Sequence, residues 1–264
     1  MVMEMLVGKL HKNLKSTLFN CIGGVCLKKI NQGQNVIIEE NVTFGNNVTL
    51  GHNVIIYADT VIGDNVIIQD NAVIGKQPTR AKASILPEVN KLPPAKIGSE
   101  VTIGTSSIVY ADCTIGNNVF VADLSTLRER VTIGEYTIVG RGVAVENDCT
   151  IGKRCKLETN CYVTAYSELG DYVFMAPYAV TTNDNYMGRS KERLDKFKGV
   201  TIETGGRVGA NATILPGKII KSDGTVAAAS TVTKDVEKEI LVVGTPAKEH
   251  SKVEDKQLLR NQEK

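Results

Sequence analysis

The chain has 264 residues, 42% of them hydrophobic and 23% charged, with 31 basic against 29 acidic side chains, which is the make-up of a globular chain of one or two domains rather than a disordered one. A net charge of +2, no Trp and 5% aromatics provide no broad basic field for a nucleic acid or a membrane surface. The longest uncharged stretch near the N-terminus, residues 16–27, is too short to cross a bilayer and no small-residue cleavage pattern follows it, so a cytoplasmic protein is expected.

Apolar residues at helix-like spacing in residues 3–19 predict an N-terminal cap within a segment 1–33, its basic side chains Lys9, Lys12, Lys15, Lys28 and Lys29 facing outward. The text then runs in sixes: NVIIEE, NVTFGN, NVTLGH, NVIIYA, DTVIGD, NVIIQD, NAVIGK. The fourth letters are Ile38, Phe44, Leu50, Ile56, Ile62, Ile68 and Ile74. A second run steps from Ile97 through Ile103, Val109, Ile115 and onward to Met175, and a third covers Ile202, Val208, Ile214, Ile220, Val226 and Val232. Neither a 3.6-residue helix nor a two-residue alternation gives a period of six, whereas a short strand plus a tight corner does.

Stacked in eighteens, the second run aligns Gly98, Gly116, Gly134, Gly152 and Gly170 in one corner column. Three hexads make one triangular turn, which predicts an all-β fold: a left-handed parallel β-helix of about nine coils over residues 34–235, with the Gly column and the recurring Asn of GNNV, GHNV and GDNV at left-handed corners. Residues 236–264 form a tail with a short helix expected at 253–261. Of the six cysteines, which show no CxxC spacing, Cys113, Cys149, Cys155 and Cys161 fall at the small inward position and read as apolar core thiols.

Two stretches interrupt the hexads. Residues 77–95 carry Pro78, Arg80, Lys82, Pro87, Pro93 and Pro94, a stiff positive loop suited to a pyrophosphate, and residues 182–199 contain NDNYMGRSKERLDK. Between them one corner column is unusually polar: Tyr110, Arg128, Glu146, Thr164 and Thr182, beside Glu129, Asn147, Ala165 and Asn183, and next to them Asp112, Arg130, Asp148, Tyr166 and Asp184. A plain ion-pair ladder between Arg128 and Glu146, one coil apart, competes with a catalytic reading.

The uninterrupted hexapeptide and the closing VVGTPAK resemble the left-handed β-helix acyltransferases; GKQPTRAK, RGVAVEN, YVTAYSE and MAPYAVTTNDNYMGR resemble those that N-acetylate dTDP-3-amino-3,6-dideoxyhexoses. The resemblance implies a homotrimer that holds acetyl-CoA and a nucleotide-linked amino sugar between neighbouring prisms, with no metal. On it, Glu146 and Asn147 are the catalytic candidates at the sugar amine, and Arg80, Lys82, Arg128, Tyr166, Asn183 and Asp184 bind the substrate. Gly209, Ala210, Ala227 and Ala228 leave room for the pantetheine arm, while Lys221, Lys234 and Lys248 meet coenzyme A phosphates.

Many relatives use a loop His as base, but the chain has only His11, His52 and His250, with His52 in the LGHN turn. A γ-class carbonic anhydrase, which needs three His on neighbouring coils, is therefore excluded. A hexapeptide O-acetyltransferase and a non-catalytic β-helix scaffold are the remaining alternatives. The amine needs no strong base, because a thioester is already activated and an amine with a pKa near ~8 is partly neutral at physiological pH.

Overall fold

The computed structural model describes residues 16–22, 25–84 and 90–262. The hexads wind into a left-handed parallel β-helix with three faces. The first face is ten-stranded and runs from Ile37–Ile38 to Thr231–Val232; the second is nine-stranded, from Thr43–Phe44 to Ile219–Ile220. The third is thirteen-stranded, its outermost strands, Ser16–Ile22 and Lys248–Lys252, pairing antiparallel. The stack is thus somewhat taller than nine coils. Ile97 pairs with Ile115 and Ile115 with Ile133, so the sixth-residue aliphatics stand above one another.

Packing follows from that register. From Phe44 onward the fourth-letter residues are buried, for example Ile56, Leu127, Ile133 and Ile151, and so are most of the small residues four places on, for example Val48, Val131 and Cys149. Each such aliphatic contributes roughly 1.5–3 kcal/mol by leaving water. Cys113, Cys149, Cys155 and Cys161 are free and fully inward, as the hexad phase predicts. Burial pushes the thiols of Cys149 and Cys161 up to about 12 and that of Cys155 to about 11, which keeps them protonated and inert.

The corners divide two tasks that the sequence reading assigned together. Left-handed φ belongs to the residue just before the small inward one, at Asn47 (56°), Asn53 (55°) and Asn65 (56°). The Gly column has ordinary φ and serves close approach: a Cβ on Gly134 would lie 2.5 Å from the backbone of Gly152, and one on Gly152 2.5 Å from that of Gly170. In the early coils the left-handed Asn residues bond one another, Asn35 donating to Asn53 and Asn53 to Asn71, each at 3.1 Å.

Both expected ends differ. Within residues 16–32 the N-terminal cap is a hairpin, Ser16–Ile22 against Val25–Gln32, and the latter stacks in parallel on Val48–Leu50. Strand–strand pairing on an open prism end outcompetes a weak helical spacing here; the rest of the expected cap, residues 1–15, lies outside the described residues. At the C-terminus, Ile240–Val243 continues the third face beyond residue 235. In place of a helix there are two single 3-10 turns, Asp255–Gln257 and Leu259–Asn261, too short to form α-helical hydrogen bonds of their own. Among the described residues no helix is long and apolar enough to cross a membrane.

Candidate functional site: the loop edge

Both interruptions leave from the same edge. The first departs after Val73–Lys76 on the first face and returns at Lys96–Ile97 on the second; the other departs after Val180–Thr181 and returns at Thr201–Ile202. Strand partners that are eighteen residues apart in the coils between become thirty-five apart across the first loop, Val61 to Lys96, and thirty-three across the second, Glu168 to Thr201; one bulge, between Val109 and Tyr110 opposite Ile74 and Lys76, marks where the first loop departs. Five coil steps separate the loops, about 24 Å. The polar column predicted from sequence fills the edge between them.

Its centre is Glu129, a carboxylate with no solvent exposure. Arg128 donates to both of its oxygens, Nε to Oε2 at 2.8 Å and Nη2 to Oε1 at 3.1 Å, and Arg80 Nη2 reaches Oε1 at 3.7 Å from the first loop. Arg128 also donates through Nη1 to Glu146 Oε2 at 3.3 Å and lies over the Tyr110 ring, 4.9 Å from its centroid. The neck of that loop is closed by Gln77, which exchanges two bonds with the backbone of Leu92. The Arg80 Nε is buried with no acceptor, a donor left available beside the column.

In the same corner Arg130 grips Asp148 of the next coil through Nε at 2.5 Å and Nη2 at 2.8 Å, and Asn147 Nδ2 donates to Asp148 Oδ2. Burial pushes the Asp148 carboxyl up, but these hydrogen bonds more than offset it and hold the group below its usual value. Tyr162, half-buried near Glu146, has its phenol pushed up, first by burial and then by the Glu146 charge. Glu129 and Tyr162 were both missed as site residues. A signal existed for Glu129: Ala111 one coil before it and Ala165 two coils after it are small, and that column is buried from Ala111 through Ala165.

The structure therefore brings Arg80, Arg128 and Glu146 together around Glu129, while the buried Asn147 gives its amide to Asp148 in the Arg130 pair. The other predicted substrate contacts are more dispersed. Lys82 is exposed in the first loop, and Tyr166 is exposed at the edge with a left-handed φ of 66°. The Asn183 carbonyl accepts from Lys198 N, closing the neck of the second loop. Asp184 turns into that loop, accepting from the amides of Tyr186 and Gly188 and from Arg193 Nη1 at 3.3 Å. His52 is a corner residue on another edge, its Nδ1 accepting from Gln34 N at 2.9 Å.

The expected coenzyme residues lie in the C-terminal coils. Lys221 is held by Glu237 through bonds of 2.7 and 2.8 Å, so its charge is already matched. A Cβ on Gly209 would collide with Ala228 N, so coil stacking fills the space that its small size leaves. The Ala210 carbonyl accepts from Ala229 N, and Ala227 N donates to Val242 O. Lys234 and Lys248 line a separate cavity of about 350 Å³ with Asp235, Glu237 and Glu249.

Three stretches, residues 41–76, 94–129 and 112–147, match the family described as Bacterial transferase hexapeptide (six repeats), together about a third of the chain. No curated protein matches the chain in sequence. Among solved structures, it is similar to a mutant of GDP-perosamine N-acetyl transferase from Caulobacter crescentus in complex with CoA and GDP-perosamine, at 24% identity and a TM-score of 0.43 over 50% of this chain and 56% of that one. It is also similar to a UDP-N-acetylglucosamine acyltransferase from Arabidopsis, at 19% identity and a TM-score of 0.47, covering 88% and 73%. A hexapeptide-repeat acetyltransferase from Vibrio cholerae complexed with acetyl coenzyme A matches at 26% identity and a TM-score of 0.42, covering 47% and 71%. The chain thus spans little more than half the length of the first of these. Over residues 41–76 and 94–147 the coils match the repeat that this family model describes.

Proposed function

We propose that the chain is an acetyl-CoA-dependent N-acetyltransferase that acts at the loop edge on the amino group of a nucleotide-linked sugar, of the dTDP-3-amino-3,6-dideoxyhexose class. The observation that carries the reading is the meeting of Arg80, Arg128, Glu129 and Glu146 on one edge, framed by both loops. Arg80, with a buried Nε lacking an acceptor, suits a pyrophosphate oxygen. Glu146 Oε2 accepts from Arg128, which leaves Oε1 to accept from the neutral sugar amine. Asn147 stands beside it to orient the same amine.

The neutral amine attacks the thioester carbonyl carbon, the C–S bond breaks, and the amine proton ends on the departing thiolate or on Glu146. Holding the two reactants within about 3.5 Å supplies much of the rate, and corner backbone N–H groups suit the tetrahedral oxyanion. The enzyme works as a cytoplasmic homotrimer. In support of self-association, Phe120 and Ile138 on the third face and Leu124 and Tyr178 on the adjoining edge are large apolar or aromatic side chains left exposed.

The test is a screen of dTDP- and UDP-linked amino sugars with acetyl-CoA, read by free-thiol release, with light scattering for the assembly state. Glu146→Ala is expected to lower kcat/KM by about 10²–10⁴ with assembly intact. Absence of thiol release with every amino sugar, or unchanged kinetics in Glu146→Ala, overturns the reading.

A further inference from the structure

Two arginines of the loop edge meet a carboxylate one coil on, and they hold it differently. Arg130 closes its fork on Asp148, Nε to Oδ1 at 2.5 Å and Nη2 to Oδ2 at 2.8 Å, so both carboxylate oxygens are taken. Arg128 stands eighteen residues before Glu146, the same single coil step, yet gives it one bond only, Nη1 to Oε2 at 3.3 Å. The difference lies in what engages the fork. Nε and Nη2 are the pair that Arg130 uses on Asp148, and in Arg128 both of them donate to Glu129, at 2.8 and 3.1 Å.

Coil stacking does not require a carboxylate at position 129. The same column holds Ala111 one coil before and Ala165 two coils after, both buried, so an alanine fills the space. A dry carboxylate is costly unless it is paired and hydrogen-bonded. Arg128 does both, while Arg80 adds its charge from 3.7 Å, outside hydrogen-bond reach. The guanidinium of Arg128 also lies over the Tyr110 ring, 4.9 Å from its centroid, which steadies the plane in which the fork points. Glu146 keeps 26% of its side chain exposed, and no hydrogen bond among the described residues engages its Oε1.

We infer that Glu129 is a positioning residue: it occupies the fork of Arg128 and so keeps Glu146 from being clamped at both oxygens, leaving one of them to accept from an amine N–H. Without Glu129 the rung closes as Arg130 and Asp148 do, and the edge becomes an ordinary ion-pair ladder. Glu129 touches no reactant and acts through Arg128 on Glu146. The use made of the free oxygen rests on the function proposed above, whereas the opening of the rung rests on the geometry alone.

The experiment is a crystal structure of the full chain carrying Glu129→Ala, with kcat and KM by thiol release for Glu129→Ala, Arg128→Gln and the double variant. The structure is expected to show Arg128 Nε and Nη2 on the two oxygens of Glu146. In Glu129→Ala kcat is expected to fall about a hundredfold. The double variant, which lacks the guanidinium that closes the rung, is expected to recover about tenfold or more of that loss in kcat, with the Arg128 change showing in KM. Recovery on losing a second side chain separates positioning from a purely structural role, in which the two losses add. Arg128 bonded to Glu146 through Nη1 alone in the Glu129→Ala structure, or a double variant no faster than Glu129→Ala, overturns the inference. Where Glu129→Ala does not fold, Glu129→Gln, with one acceptor oxygen in place of two, takes its place in both measurements. If the unaltered chain releases no thiol with any amino sugar, the function proposed above fails, and the crystal structure alone decides whether Glu129 holds the rung open.

Discussion

The loop edge in the early coils and the same edge in the middle coils share one backbone path and carry different chemistry. Early on, the left-handed position holds Asn41 (φ 59°), whose amide donates to Asp59 at 3.1 Å. In the middle coils that position holds Arg130 (58°), Asp148 (60°) and Tyr166 (66°). Asn accepts left-handed backbone cheaply, whereas Arg and Tyr each cost on the order of 1 kcal/mol in steric strain. A ladder of amides is the low-energy way to build this edge; left-handed Tyr136, Arg154 and Leu124 show that the other edges carry the same strain, so what sets this stretch apart is its buried charge.

The strongest test of the contrast is Glu129→Gln. It leaves Arg128 and Arg80 without their buried counter-charge, so about 3–5 kcal/mol should be lost in urea denaturation, with faster proteolytic cutting within residues 77–95. A loss below 1 kcal/mol would make the charged edge as incidental as a surface ladder. Next comes alkaline pH. Above the ordinary thiol value of 9.0 the unfolded chain releases protons that the folded core retains until about 12 at Cys149, so stability falls as pH rises. Each thiol adds about 1.4 kcal/mol per pH unit to that slope. Cys149→Val, a replacement that copies Val131 one coil away in the same inward column, should flatten the decline between pH 9 and 12 in a denaturation series.

Smaller effects sharpen the other side of the comparison. Asn41→Ala removes the amide donor to Asp59 and places a residue without Asn's compensation at φ 59°, so a loss of about 1–2 kcal/mol is expected. Lys153→Ala breaks the 3.6 Å pair with Glu135 on an exposed edge and should change stability by less than about 0.5 kcal/mol. A double-mutant cycle measures the same small coupling directly.

The fold was readable because each hexad repeats one inward aliphatic and one small inward residue, a signal carried by the chain at almost every turn. The site was readable only as a column of letters. Which members point at one another depends on what covers the edge: Glu129 is buried because Arg80 and Arg128 close over it, whereas Glu135, the corresponding residue of the next hexad, lies exposed. The two ends were misread for a related reason, since short segments take their structure from the sheet they meet more than from their own spacing. Nothing in the sequence placed Arg207 beneath Gln257, because fifty residues separate them and only the folding back of the tail joins them.

That the coils resume their pairing after both excursions has an evolutionary consequence. Each coil touches only its two neighbours, so material added or exchanged at one corner leaves the rest of the stack as it was. Under the proposed function, recognition of a different acceptor needs only one excursion replaced wholesale, without renegotiating the prism that carries it.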